Sequence, residues 1–386
     1  MSNNHILVIF PVNSNSTLGI ESMLSIVLYF TKYFKISILT NNKYFINNHI
    51  INCNIIEYNM QTKKCWNPLK QIKQWKKISN FVNSIETDIV FMFELTSALQ
   101  NWINHPAIIY ISQYGERFYN NKNLLKRIYI YLFNKFLDYY SIKGIKKSVL
   151  NFAPSPLLVE YLNKRGIKNV KYIPHSLNLD KYKEPLLNND HNILMNLKRN
   201  NYFIVSHTGS LNEERGFSLI LESFFIATQS NDKIILVLAG ANEEYTKKIN
   251  EFSNRHKITN NIINYGEVDS SIIPGILYYS DVCLSFLDDL PAFRISPPQK
   301  IIEYFAAGKP VICNKIATHN YLVDDNKTGF IVDYNPEKVA EKILILANNK
   351  EILKKMSDAA KEESKKYDIN INYKKMVDII KNNLIT

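Results

Sequence analysis

The feature that most constrains the fold is a repeated alternation of short, apolar, β-prone runs with longer stretches of helical periodicity. This alternation predicts βαβ units and a parallel sheet, because neighbouring parallel strands need a long crossover connection. Helical stretches such as Glu21–Tyr33 and Trp75–Ile85 separate the runs. In the first half we expect strands at Ile6–Val12, Ile36–Thr40, Asn54–Tyr58, Asp88–Phe93, Ala107–Ser112 and Ser148–Ala153.

The same alternation starts again after about residue 175 and predicts a second sheet of the same kind. The stretch Leu177–Asn200, with Pro185 and clusters of Asn, Asp and Lys, breaks the periodicity and predicts a linker. The second set of strands is expected at Phe203–His207, Ile234–Ala239, Ile262–Tyr265, Val282–Phe286, Val311–Asn314 and Phe330–Val332.

We therefore expect an α/β protein with two Rossmann-like, doubly wound domains that face a central cleft. The domains are predicted at residues 1–170 and 171–365, and residues 366–386 are predicted as a C-terminal helix that could pack back on the first domain. A ligand is expected between the halves, because open α/β sheets bind at the carboxyl ends of their strands.

Charge, cysteine content and hydropathy narrow the class of protein. The net charge of +12 favours an anionic partner, but no zinc-finger, RNP or homeodomain-like motif supports nucleic acid. The four cysteines are scattered, which favours a reducing compartment and neither a disulfide framework nor a zinc site. The N-terminal apolar run is far shorter than the ~20 residues of a membrane-spanning helix. We expect a cytoplasmic protein.

The most informative segment runs from Arg294 to Ile312, with the sequence RISPPQKIIEYFAAGKPVI. Ser296 and Gln299 have the spacing of a capping box, and Pro297 would take the first helical position. Gly308 would end the helix in a left-handed conformation, before a buried strand. The segment predicts a helix over about residues 297–307 that leads from one site loop into the sheet.

The first turn of this predicted helix holds Lys300, a cation at the positive end of a helix dipole. A bound diphosphate would offset that charge, and helix N-termini bind phosphate through free N–H groups. Glu303, one turn later, could accept hydrogen bonds from ribose hydroxyls. The alternative is that Lys300 and Glu303 form an ordinary i,i+3 surface pair.

This segment resembles the donor site of retaining glycosyltransferases of the GT-B, family-4-like group, whose variants carry the pattern SPxKxxEYxAxGkPVI. Further motifs resemble the same family: residues 208–217 (TGSLNEERGF) match its loop with a basic residue before Gly, 172–180 (YIPHSLNLD) match its interdomain turn, and 325–332 (DNKTGFIV) match its last strand. The resemblance covers nearly the whole chain and is strongest over residues 172–335.

The resemblance implies transfer of a sugar, with retention and without a metal, from a nucleotide-diphosphate-sugar. The acceptor would be a growing cell-envelope polysaccharide or a lipid-linked oligosaccharide. The nucleotide sugar is a co-substrate, and no other cofactor is expected. Arg215 and Lys300 are the expected catalytic charges, with Gln113 and Glu116 candidates on the acceptor side. Donor binding is assigned to Glu303, Ser296, Gly209, Ser210, Gln299, Arg294 and Gly19.

The sequence departs from the family pattern at three positions. Ile295 stands where the family has its first Glu, Ser210 where it has Arg, and Gln113 at or near its N-domain His. Arg294 or Lys300 could supply the missing phosphate clamp. These departures keep open an alternative function, a catalytically degenerate protein that binds a nucleotide sugar or a partner glycosyltransferase.

Other features were weighed against structural explanations. Asp288-Asp289 has no third oxygen ligand nearby in the sequence, so we expect no metal there. His207 and His319 are second-tier candidates, because a single His is more often structural. Residues 117–148 are basic and interleaved with aromatics. They predict either a solvated helix with a buried stripe or a peripheral contact with an anionic membrane on its inner face.

Overall fold

The computed structural model describes residues 4–11, 20–42, 46, 53–58, 66–112, 124–183, 185 and 188–384. The chain divides into two compact units. Unit 1 comprises Met1–His175 and Asn372–Thr386, and unit 2 comprises Ser176–Ile371. Within the described residues, no helix combines the length and the apolar composition that crossing a membrane requires.

Unit 1 is built on a seven-stranded parallel sheet with the order β3-β2-β1-β4-β5-β6-β7. The core strands are apolar throughout, as expected for a sheet covered on both faces. The strands are β1 His5–Phe10, β2 Lys35–Thr40, β3 Asn54–Glu57, β4 Ile89–Phe93, β5 Ala107–Tyr110, β6 Leu150–Ala153 and β7 Val170–Tyr172.

The helices of unit 1 begin at strong local signals. Asn67 caps one of them by accepting the N–H groups of Leu69 and Lys70, and Ser155 caps another by accepting that of Leu158. In both, proline follows the cap at the first helical position. These helices are α1 Ile20–Phe30, α2 Pro68–Asn83, α3 Leu124–Lys147 and α4 Pro156–Lys164, with a 3₁₀ helix at Glu94–Asn101.

Unit 2 is built on a six-stranded parallel sheet with the order β10-β9-β8-β11-β12-β13. Its core joins the sheet to the helices on both faces, with Phe224, Leu236 and Ile312 fully buried. The strands are β8 Phe203–Thr208, β9 Ile234–Ala239, β10 Ile262–Asn264, β11 Val282–Ser285, β12 Val311–Asn314 and β13 Gly329–Val332.

The helices that complete the chain alternate with these strands and continue to its C-terminal end. They are α5 Asp180–Lys183, α6 Asn192–Arg199, α7 Phe217–Thr228, α8 Glu243–His256, α9 Ile273–Tyr279, α10 Pro291–Ile295, α11 Gln299–Ala306, α12 Ala317–Leu322, α13 Pro336–Asn348, α14 Lys350–Ser364 and α15 Ile369–Leu384. The α/β class and the two Rossmann-like sheets predicted from the sequence are confirmed.

One sequence prediction is wrong in detail. Residues 177–200 are not an irregular linker, because α6 buries Leu194 against the second sheet and Lys198 pairs with Asp281. The helix predicted within residues 366–386 corresponds to α15. Asp368 accepts the N–H group of Asn370 at the start of α15, after a short 3₁₀ turn.

The last helix, α15, contributes an aromatic side chain to unit 1. The ring of Tyr373 packs edge-on against that of Tyr29 at 5.7 Å, and its hydroxyl lies 2.9 Å from the Ser25 hydroxyl. Tyr373 is almost completely buried. Unit 1 is therefore assembled from two separate stretches of sequence.

Candidate functional site

The candidate site begins where two neighbouring strands of the second sheet diverge. β8 and β11 are the neighbours at which the strand order reverses direction, the position at which open α/β sheets form a ligand crevice. Their pairing ends at Cys283 opposite Ser206. Beyond it, the ends of β8 and β11 are bridged by side chains instead of by each other's backbone.

Tyr304 of α11 fills this split. Its hydroxyl accepts the backbone N–H of Thr208 at 3.0 Å and donates toward the carbonyl of Leu284 at 3.5 Å. Burial raises the pKa of Tyr304, so the phenol stays protonated and able to make both contacts. Sequence analysis missed this residue. The available signal was a tyrosine on the buried face of an amphipathic helix, where a hydroxyl needs a partner.

His207, near the end of β8, makes the second bridge. Its Nδ1 lies 3.1 Å from the Leu284 carbonyl, which fixes the tautomer with the proton on Nδ1. Burial, then the charge of Lys300, holds the pKa of His207 well below its usual value. The ring is therefore neutral, and its Nε2 offers a lone pair to the site.

Lys300 uses that lone pair. Its Nζ lies 3.1 Å from His207 Nε2, so the ammonium donates to a neutral imidazole rather than pointing along the helix surface. The pKa of Lys300 is lowered well below its usual value, first by burial and then by the nearby Arg215 charge, while Glu303 opposes the shift. Two cations are thus held close together, in the arrangement that an anionic ligand stabilises.

The glycine loop after β8 lies beside this ammonium. Gly209 has φ +87°, and a Cβ placed on it would be 3.5 Å from Cε and Nζ of Lys300. Gly240, after β9, has φ +120°, and a Cβ there would lie 2.3 Å from the Gly209 carbonyl oxygen. Positive φ favours glycine at both positions, and the close backbone approach excludes a side chain at Gly240, so bare backbone lies beside Lys300.

Arg215 is positioned by a turn that also requires glycine. It ends a 3₁₀ helix whose next residue, Gly216, has φ +75°, and a Cβ on Gly216 would lie 2.5 Å from the Phe286 Cβ. The guanidinium stacks over the Phe293 ring at 5.3 Å. This cation–π contact restricts the rotamers of Arg215 and so holds the guanidinium on this side of the sheet.

The start of α11 differs from the sequence prediction. The helix begins at Gln299 rather than at Pro297, its N-cap is Pro298, and no side chain caps it, so the predicted Ser296–Gln299 capping box is wrong. The reason is the proline pair, because a residue that precedes proline is displaced from the helical region. Ser296 and Pro297 are therefore extended residues, and Ser296 is buried.

Gln299 and Glu303 lie one turn apart on the partly exposed side of α11. The amide Nε2 of Gln299 is 3.4 Å from Oε1 of Glu303. Both side chains, and that of Ser210 in the glycine loop, are partly exposed at the same edge of the sheet. The structure therefore brings Arg215, Lys300, Gly209 and Glu303 into one region, as their sequence motifs predict.

Arg294 is placed differently. Its guanidinium makes a two-point ion pair with Asp289, with both N–O distances 2.6 Å, and both side chains are more than half exposed. The use of Arg294 as a phosphate clamp would require it to leave this partner. This ion pair also engages Asp289, one of the two carboxylates of Asp288-Asp289. Within the described part of the chain, no cluster of His, Cys, Asp or Glu is arranged to hold a metal ion.

Of the remaining candidates, His319 has a structural role. His319 is fully buried between Asn314 and Ser285, and burial lowers its pKa to about 4, so it acts as a neutral internal donor and acceptor. Gln113, Glu116 and Gly19 lie outside the described residues.

Comparisons with known proteins agree with this geometry. Residues 192–363 match the family profile described as glycosyl transferases group 1. No curated protein sequence matches significantly. Over the whole chain, the fold is similar to three solved structures, each covering 98% or more of both chains.

The first is a glycosyltransferase from Rickettsia africae, with 20% identity, full coverage of both chains and a TM-score of 0.72. The second is HepE of Anabaena, solved with UDP and glucose, with 14% identity, coverage of 98% and 100%, and a TM-score of 0.73. The third is sucrose-phosphate synthase of Thermosynechococcus elongatus, with 14% identity, coverage of 98% of both chains and a TM-score of 0.74. At such identities these likenesses concern the fold.

Proposed function

Given a chain with the GT-B fold whose residues 192–363 match the glycosyl transferases group 1 family, we propose that this protein transfers a sugar from a nucleoside-diphosphate sugar to an acceptor hydroxyl. The observation that carries the proposal is the pair of cations, Lys300 and Arg215, gathered around the glycine loop at Gly209. A diphosphate would place negative charge beside both cations.

In the proposed reaction the bond between the anomeric carbon and the diphosphate oxygen breaks, and a bond to the acceptor oxygen forms. The acceptor proton passes to the departing diphosphate or to solvent. Arg215 and Lys300 stabilise the charge that develops on the leaving group, together with the N–H groups of Gln299 and Lys300 at the start of α11. Retention of configuration and independence of metal are proposed from the family resemblance.

His207 is proposed as the residue that positions Lys300. A neutral imidazole can accept from the ammonium without neutralising it, so the charge remains available to the ligand. Binding of a diphosphate would raise the depressed pKa of Lys300, because an opposite charge beside the ammonium stabilises it.

Glu303 is proposed to accept hydrogen bonds from the ribose hydroxyls, with Gln299, Ser210 and Ser296 lining the same donor site. UDP is the first nucleotide to test, because HepE was solved with UDP and glucose. We propose a cell-envelope polysaccharide or a lipid-linked oligosaccharide as the acceptor, and the cytoplasmic face of a membrane as the place of action. Gln113, Glu116, Gly19 and Arg294 stay predictions.

Thermal stabilisation by a panel of nucleoside diphosphates and their sugars tests the donor site. We expect the nucleotides of one base to raise the Tm selectively. This Tm shift should disappear in Glu303→Ala and in Arg215→Ala. Glu251→Ala and Arg255→Ala on α8 are matched controls that should keep it. No shift with any nucleotide would contradict the transferase assignment.

The alternative is a degenerate protein that binds a nucleotide sugar or a partner glycosyltransferase without turnover. It is favoured by Ile295 and Ser210 at two family positions, and by the engagement of Arg294 with Asp289. Release of nucleoside diphosphate from the stabilising sugar nucleotide separates the two. Selective binding without hydrolysis or transfer, across a range of glycan acceptors, would favour the alternative.

A further inference from the structure

The first half of α3 exposes an unusual amount of apolar surface. Over residues 124–132, only Ile130 is buried. Leu125 is 79% exposed and Leu124 is 63% exposed. The exposed apolar and aromatic side chains on this segment are Leu124, Leu125, Ile128, Tyr129, Tyr131 and Leu132. A helix that only covered a core would carry polar residues at these positions.

This helix has two apolar stripes on opposite sides. Ile130 and Phe133 form the buried stripe, whereas Leu124, Ile128 and Leu132 recur at every fourth residue and share one exposed side. Two residues correspond to about 200° at about 3.6 residues per turn, so Ile128 and Ile130 point in nearly opposite directions. Within the described part of the chain, the buried stripe accounts for the packing of α3 and the exposed stripe stays open to solvent.

The apolar surface continues onto the start of α2. Trp66 and Leu69 are both exposed, Leu69 by 78%. The Trp66 ring contacts the rings of Tyr129 and Phe133, and the Tyr129 hydroxyl donates to the Trp66 carbonyl. We call the combined surface, formed by residues 66–70 and 124–132, the α2–α3 face.

The helices that carry this face are strongly basic. The sequence has four lysines in α2 with no acidic residue, and six Lys or Arg in α3 with one acidic residue, Asp138. Asp138 pairs with Arg165 of the loop after α4. Lys126, Arg127 and Lys135 are exposed within or beside the apolar stripe. Apolar and aromatic side chains framed by cations are the composition that anionic membrane surfaces bind.

We propose that the α2–α3 face docks on an anionic lipid surface, with the leucine and isoleucine stripe entering the acyl boundary and the basic side chains contacting lipid phosphates. A second copy of this chain is a poorer occupant, because a symmetric contact would bring the same basic helices together. The tyrosines suit the interface, since each has an apolar ring and a polar tip. The inference does not depend on the transferase assignment.

Co-sedimentation of the full chain with vesicles tests the proposal. We expect binding to phosphatidylcholine vesicles that contain phosphatidylglycerol at low salt, weak binding to phosphatidylcholine alone, and loss of binding as NaCl is added. No binding to the anionic vesicles at low salt, or binding that is insensitive to both lipid charge and salt, would overturn it.

Two variants locate the contact on this face. Lys126→Glu with Arg127→Glu should weaken the partition coefficient about thirtyfold or more, and Ile128→Asn with Leu132→Asn about tenfold. The control, Lys350→Glu with Lys354→Glu on α14, changes the net charge by the same amount. Its partition coefficient should stay much closer to that of the parent. Equal loss in the control would reduce the effect to net charge and overturn the assignment to this face.

Self-association is measured on the same proteins by light scattering. A parent that dimerises and an Ile128→Asn, Leu132→Asn variant that is monomeric, with neither binding vesicles, would replace the lipid surface by a second copy of the chain. Because the substituted side chains are exposed, the Tm of each variant should match that of the parent. Nucleotide-induced stabilisation should also persist, which separates failure of this inference from failure of the donor site.

Discussion

The first six strands of the two sheets follow the same order, but the sheets differ at the point where that order reverses. In unit 2 the split between β8 and β11 is bridged by Tyr304 and His207, with Lys300 beside it. In unit 1 the ends of β1 and β4 are held by the rings of Phe10 and Phe93, packed edge-on at 5.8 Å.

In unit 1, a carboxylate lies directly after the end of β4. Glu94 follows β4, and its two oxygens accept the backbone N–H and the hydroxyl of Ser112 at 3.1 and 2.8 Å. An anion would be repelled there and attracted in unit 2. The comparison shows that topology supplies the crevice, whereas the side chains at the strand ends decide which ligand it can take.

The largest expected effect comes from removing the positive charge of Lys300 at the end of the second sheet. Lys300→Met should lower turnover with the stabilising sugar nucleotide by about 10²–10³, because a preorganised donor to developing charge is lost. Steady-state kinetics of nucleoside diphosphate release measures it. Lys233→Met, at the opposite end of the same sheet, is the matched control, and an unchanged rate in Lys300→Met would remove the residue from the site.

A pH experiment should separate the units. His175 in unit 1, and His207 and His319 in unit 2, have pKa values lowered by burial, to about 4 for His175 and His319. Each is neutral when folded and gains a proton on unfolding below about pH 6.5. Their stability is therefore complete above pH 6.5 and falls as pH drops toward 4, by about 1.4 kcal/mol per pH unit for each histidine.

Unit 2 should then lose stability about twice as steeply as unit 1 between pH 6.5 and 4.5. Hydrogen exchange of peptides from each sheet, followed as pH is lowered and corrected for intrinsic exchange rates, measures the two slopes. His319→Gln should flatten only the slope of unit 2. Equal slopes in the parent would contradict the neutral state assigned to the two unit 2 histidines.

Glycine substitutions sharpen the contrast at the backbone level. Gly144→Ala in α3 should destabilise unit 1 by about 1–3 kcal/mol, because a Cβ there would lie 2.0 Å from the Ser97 carbonyl oxygen. Gly209→Ala meets only the end of the Lys300 side chain, and should cost about 1 kcal/mol through its positive φ. Chemical denaturation measures both, and a reversed order would contradict the packing of α3.

The smallest expected difference concerns two buried tyrosines. Tyr304→Phe leaves the Thr208 N–H without its partner, so it should destabilise unit 2 by about 1–3 kcal/mol. Tyr373→Phe removes the bond to the Ser25 hydroxyl, which can rotate toward another partner, and should cost unit 1 about 1 kcal/mol. Equal costs would mean that Thr208 finds another acceptor.

The strands could be predicted from the sequence because each is a short, continuous apolar run between helical stretches. All twelve predicted strands are present, with ends within two residues. β7 was missed, because Val170–Tyr172 is three residues long and contains an exposed Lys171. A strand this short at the edge of a sheet is decided by its neighbour β6 rather than by its own pattern.

The candidate site was predictable only in part. Arg215, Lys300 and Glu303 stand in motifs that a sequence displays. The contact between Lys300 and His207 could not be predicted from a motif. His207 is 93 residues away and becomes a neighbour only when β8 and α11 pack together. The start of α11 differs from the prediction for a local reason: Ser296 and Gln299 have the spacing of a capping box, but the two consecutive prolines between them prevent the helix from starting there.

The placement of Tyr373 against Tyr29 has a consequence for biosynthesis. Unit 2 is continuous in sequence, whereas unit 1 needs α15, which leaves the ribosome after every residue of unit 2. During translation the first sheet therefore waits with Tyr29 uncovered while the second sheet is being made. A nascent chain from which unit 2 has emerged, but residues 372–386 have not, should hold a finished unit 2 and an unfinished unit 1, although unit 1 was begun first.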